Sequence, residues 1–184
     1  HAEYHGVFPL LQARDSQLHG WPLGQQMADL LQADKNIELA KLFSDAIQST
    51  DPALRTPQTL VKSAWHSSIE AADAAYTPGV FTTLIGYEWT SMVTGDNLHR
   101  VVLFRDGSEY TRQVIPFSAQ DSTDPEALWS ALSDYETDTG GRVMAIPHNG
   151  NLSNGRMFSP IRNNGEAIDN DYAKQRRYWE PLYE

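Results

Sequence analysis

Cysteine is absent from the 184 residues. Its absence excludes disulfides, thiolate metal sites and cysteine nucleophiles, and it fits cytoplasm and periplasm equally. Basic residues are scarce, with 14 Lys and Arg against 24 Asp and Glu and a formal net charge of −10. That balance lacks the basic footprint that nucleic-acid binding requires, and it disfavours an anionic membrane surface. A small anionic substrate stays open, because a bound metal inverts the local field. No apolar run approaches the length of a membrane span. The chain opens on His1 rather than Met, so the expectation is a single domain over residues 1–184, an interior piece of a longer protein. An upstream targeting signal would then lie outside it, and the compartment stays unassigned.

What is present is an α/β pattern. Residues 22–48 read as one amphipathic helix, with Met27, Leu30 and Leu31 leading into Ile37, Ala40, Phe43 and Ile47. Thr56 and Pro57 read as the N-cap and first position of a second helix, which buries Leu60, Val61, Ala64 and Trp65. His66 falls off that face. Residues 81–85 and 101–104 are apolar runs that predict strands buried on two faces. Residues 110–117 predict a short edge strand. A third helix starts at Thr123 or Asp124 and closes at Gly140-Gly141. Residues 143–146 predict another strand, residues 149–164 an Asn- and Gly-rich loop, and residues 172–179 a short helix. Glu180-Pro181-Leu182 reads as the lead-in to a further strand. Residues 1–21 show no sustained period and predict loop. This order of helices and strands points to a β/α barrel or an open parallel sheet.

The chemistry sits at strand ends. Glu88 follows the first apolar run, His99 precedes the second, and His148 follows the third. A carboxylate and two imidazoles suit zinc, manganese or iron. His1 and His5 share the i, i+4 spacing that places two imidazoles on one metal, although Gly6 and Pro9 oppose a helix there. Arg100 is either a phosphate clamp or a salt-bridge partner. Asn149 and Asn151 either orient His148 and contact substrate or serve turn geometry. Asn151-Leu152-Ser153 matches a glycosylation sequon, here read as coincidence.

Three stretches carry a family resemblance: Gly86-Tyr87-Glu88-Trp89-Thr90, Asn97-Leu98-His99-Arg100, and the run from Ile146-Pro147-His148-Asn149 to Asn154-Gly155. The chain resembles the DUF3604 family, which is similar to the PHP (polymerase and histidinol phosphatase) metal-dependent phosphoesterases. His1-Ala2-Glu3-Tyr4 resembles a family motif that has lost its leading Asp. The resemblance implies an irregular β/α barrel, incomplete in these residues, with strands flanked by helices and divalent metals at the strand ends. It implies that Glu88, His99 and His148 are metal ligands and catalytic, that His1 ligates a further metal, and that a metal-activated water cleaves a phosphoester. The family's opening His-x-His and late Asp-x-His motifs are missing from the chain. That leaves room for a non-catalytic module binding a metal or an anionic metabolite, or for an interaction piece that self-associates through exposed strand edges.

Overall fold

The computed structural model describes residues 7–47, 49 and 51–184. The helices are α1 (Val7–Ala13), α2 (Pro22–Gln32), α3 (Asn36–Ile47), α4 (Gln58–Ala75), α5 (Ser108–Thr111), α6 (Pro125–Thr139) and α7 (Asn170–Trp179). The strands are β1 (Ile85–Trp89), β2 (Met92–Val93), β3 (Asp96–Asn97), β4 (Arg100–Phe104) and β5 (Val143–Pro147). The fold is mixed α/β, and the described residues form no closed barrel.

The expected parallel arrangement is overturned. The main sheet has the order β1-β4-β5, and both pairings are antiparallel. Glu88 stands opposite Val101, which stands opposite Ile146. Antiparallel pairing puts the end of β1, the start of β4 and the end of β5 on one rim. Side chains alternate across a strand. Ile85, Trp89, Val102, Phe104, Val143 and Ala145 therefore face one way and are buried. Gly86, Glu88, Val101, Leu103, Met144 and Ile146 face the other way and are half-buried. Burial on both faces, expected from the apolar runs, is thus replaced by burial on one.

Helices α4, α6 and α7 cover the buried face. Trp65, Ile69, Leu128, Trp129, Leu132, Tyr135 and Trp179 pack with the sheet residues into one core. Each fully buried large side chain contributes about 1.5–3 kcal/mol relative to exposure. A second core joins α1, α2 and α3 through Val7, Leu11, Trp21, Met27, Leu39 and Ile47, with Leu60 of α4. The 118–121 segment ties the two together. The Gln120 amide donates to the Ala46 carbonyl at 3.2 Å, and Arg55 pairs with Asp121.

Several local expectations are corrected. Helix α1 occupies part of the expected N-terminal loop, because Pro9 sits in its first turn, where no amide donor is lost. The expected helix over 22–48 is two helices, broken at Asp34, whose φ of 55° is left-handed. Pro57 is the N-cap of α4 rather than its first residue. Thr56 is buried, and its amide donates to Gln120 Oε1 at 3.4 Å. β1 starts at Ile85, not at Phe81, which is 58% exposed. The expected edge strand at 110–117 contains the end of α5 and then irregular chain. His66 is half-buried. Residues 180–184 form no strand, although the Glu184 amide donates to the Pro147 carbonyl at 3.0 Å. The expected ends of α6 hold: Asp124 is its N-cap, with the carboxylate accepting from the Glu126 amide, and Gly140 is its C-cap with φ 74°.

Candidate metal centre

The rim geometry delivers three ligand groups to one point. Glu88, His99 and His148 share the half-buried face of the sheet. His99 precedes Arg100 and His148 follows Pro147, a directly opposed pair. The His148 amide donates to the His99 carbonyl at 3.3 Å, which extends that register by one step.

Local turns set the directions. Asn97 Oδ1 accepts from the His99 amide at 3.0 Å, an Asx turn that fixes where β4 begins. The hairpin before it closes through Thr94 and Gly95, with φ of 56° and 87°, the pair of positive φ values a two-residue type I′ connection needs. After β5, Asn149 takes φ 56° and reverses the chain. The Ser153 hydroxyl, fully buried, donates to the Gly150 carbonyl at 2.6 Å and pins the loop. The Asn-rich segment thus performs turn chemistry.

His99 Nδ1 lies 2.9 Å from Glu88 Oε1. His148 Nε2 lies 3.2 Å from the same oxygen. The three candidate ligand atoms fall within 4.8 Å of one another. Two ligands held about 2.1 Å from an ion, at tetrahedral to octahedral angles, stand about 3.0–3.4 Å apart. The 2.9 Å and 3.2 Å spacings between the carboxylate and the two imidazoles match a shared cation within a few tenths of an ångström. The hydrogen bond from His99 lowers the Glu88 pKa below the ordinary carboxylate value. Burial opposes the shift, and the charges of His99 and His148 reinforce it. Glu88 is therefore an ionised carboxylate at neutral pH, suited to ligate a cation. The Asn149 amide nitrogen sits 2.9 Å from His148 Nδ1 and fixes the ring.

A protein-family model described as "Protein of unknown function (DUF3604)" matches residues 1–184. The chain belongs to the DUF3604 family. No curated protein and no solved structure matches it. The DUF3604 chain therefore has to be read from its own geometry.

That geometry brings together three of the sequence-derived site residues and separates others. Arg100 points to the opposite, helix-covered face and is 2% exposed. Its Nε donates to Glu180 Oε1 at 3.0 Å, and its Nη1 donates to the Leu98 carbonyl. Burial pulls the Arg100 pKa below its usual value, and the Glu180 carboxylate opposes that shift. Of its two sequence readings, the salt bridge is the one seen. Asn149 contacts His148, whereas Asn151 lies exposed in a 3₁₀ turn. His1 and His5 lie outside the described residues. Two contributors escaped the sequence reading. Asn97 orients His99, and an Asn two residues before a candidate ligand was its available signal. Glu180 gathers Arg100, Arg176 at 3.1 Å and Trp129 Nε1 at 2.8 Å, and nothing local in the sequence announces that.

Proposed function

We propose that Glu88, His99 and His148 bind one divalent cation and that the protein is a metal-dependent hydrolase of the PHP type, acting on a phosphoester. The convergence of the three ligand atoms on the sheet rim carries this reading. A zinc, manganese or iron ion at this point would bring a coordinated water to a pKa of about 7 and offset charge on an attacked oxygen. The residues of the chain supply the rest. Glu88 contributes an ionised carboxylate without first losing a proton. His99 is held by Asn97. His148 turns Nε2 toward Glu88, and the Asn149 amide nitrogen, 2.9 Å from Nδ1 on the other side of the ring, holds it in that orientation. Three protein ligands leave coordination positions open for water and substrate, as catalytic sites require.

One observation favours a second reading, a module that binds a metal or anionic metabolite without turnover. The cation next to the site in sequence, Arg100, is committed to Glu180, so a phosphate would have to be held by other groups.

Metal titration followed by assay decides between them. The hydrolase reading expects about one bound zinc, manganese or iron per chain and release of phosphate from phosphomonoester or phosphodiester probes. Both should disappear in Glu88→Gln and His148→Ala. Stoichiometric metal without turnover of any probe supports the binding module. A chain that takes up no metal refutes both metal-based readings.

A further inference from the structure

On the helix-covered side of the sheet, away from the metal centre, lies a cavity of about 360 Å³, within the roughly 300–1,000 Å³ usual for small-ligand sites. Its walls include Tyr87, Phe104, Phe117 and Tyr135, and Asp134 and Asp138 also line it. The rings form a connected set. Tyr87 and Phe104 have centroids 6.1 Å apart, and Phe104 and Tyr135 meet nearly edge-to-face at 4.8 Å. Aromatic faces carry negative potential and attract cations that shed water easily. Asp134 and Asp138 are four apart on α6 and therefore share one side of it. Both are exposed, and neither is held in an ion pair among the described residues. A third acid, Asp121, also borders the cavity but is already engaged by Arg55 and by the Ser118 amide and hydroxyl. No Lys, Arg or His lines the cavity among the described residues.

We infer that this cavity binds a small organic cation, a quaternary ammonium carried on a short apolar body. Rings remove the methylated head from water without demanding hydrogen bonds it cannot make, and the two aspartates supply its counter-charge. An anion would meet two carboxylates and no cation. A neutral apolar molecule would gain the ring contacts but nothing from Asp134 and Asp138. The site is independent of metal binding, because Tyr87 projects from β1 on the face opposite Glu88.

Choline and its uncharged carbon counterpart, 3,3-dimethylbutan-1-ol, test the assignment by titration calorimetry and saturation-transfer NMR on the whole chain. Choline should bind at least about tenfold more tightly than the alcohol. The double variant Asp134→Asn/Asp138→Asn should weaken choline by roughly tenfold and leave the alcohol unchanged. Those two positions are exposed, so folding is not at stake, and Asp171→Asn, an exposed site on α7, serves as the unaffected control. Phe117→Ala should weaken both probes. Equal binding of the two probes, undiminished choline binding in the double variant, or no binding of either overturns the proposal.

Discussion

Removing the Glu180 carboxylate should destabilise the fold severely while sparing the candidate metal ligands. Glu180 is 1% exposed at its side chain, and its ion-pair partner Arg100 is 2% exposed. The carboxylate accepts from Arg100 Nε at 3.0 Å, Trp129 Nε1 at 2.8 Å and Arg176 Nε at 3.1 Å. Arg100 also lies over the Trp89 ring at 5.6 Å. Glu180→Ala strands a buried guanidinium with the Leu98 carbonyl as its remaining acceptor of this network, and it orphans the Trp129 indole N–H. Deleting one partner of a buried pair costs about 3–5 kcal/mol. For a domain of this size that corresponds to a fall in Tm of roughly 6–20 °C. Arg176 is partly exposed and also bonds the Met157 carbonyl at 2.9 Å, so it adds little to the loss. The double replacement Arg100→Met/Glu180→Leu removes both charges, and it should recover most of the stability. Urea unfolding of the parent, Arg100→Met, Glu180→Leu and the double variant measures the coupling directly. The metal affinity of the double variant should stay within about threefold of the parent, because the ion pair and the ligand groups occupy opposite faces. A loss below about 1 kcal/mol in Glu180→Ala, or a double variant no more stable than the single one, would refute the reasoning.

Other predictions follow from the rim and its supports. A Cβ at Gly86 would lie 2.5 Å from the Val102 carbonyl oxygen and 2.8 Å from Leu103 Cδ2. Gly86→Ala should therefore push β1 from β4, costing about 1–3 kcal/mol in urea unfolding and weakening metal binding at Glu88, two residues on. Asn149→Gly keeps the left-handed backbone but loses the side-chain contact to His148, and calorimetry should show metal affinity about 10-fold lower. Asp106 titrates below the ordinary carboxylate value: burial pushes it up, but the Arg142 amide and the Arg105 guanidinium outweigh that. Its contribution is present above an unfolded value near about 4 and is lost as pH falls through the lower folded value. Thermal melts below about pH 4 should thus fall less steeply in Asp106→Asn than in the parent. β1 and β5 are the edges of the three-stranded sheet, so light scattering should show self-association rising with concentration.

Much of this was legible in the sequence where the signal was local. Asp124 ahead of Pro125 and Gly140 after Thr139 mark both ends of α6. Glu88, His99 and His148 stood out as candidate ligands because each adjoins a short apolar run. Strand direction was not legible. Residues 105–142 between β4 and β5 contain a full helix, the usual mark of a parallel crossover, yet the two strands run antiparallel. Helix α1 was hidden by Pro9, and the break at Asp34 by an apolar stripe that continues with only a slight drift. The role of Arg100 could not be read from its neighbours, because its partner lies 80 positions away.

The alternation of β1 has a further consequence. Trp89, buried in the core, and Glu88, aimed at the rim, are adjacent residues whose places are decided by one register. A slip of β1 by one residue would drive the carboxylate in among Trp65, Leu128 and Trp129 and turn an indole out to the ligand side. Misassembly that spoils the ligand cluster is thereby also misassembly that buries an unmatched charge. The interior of the protein proofreads the placement of its own chemistry.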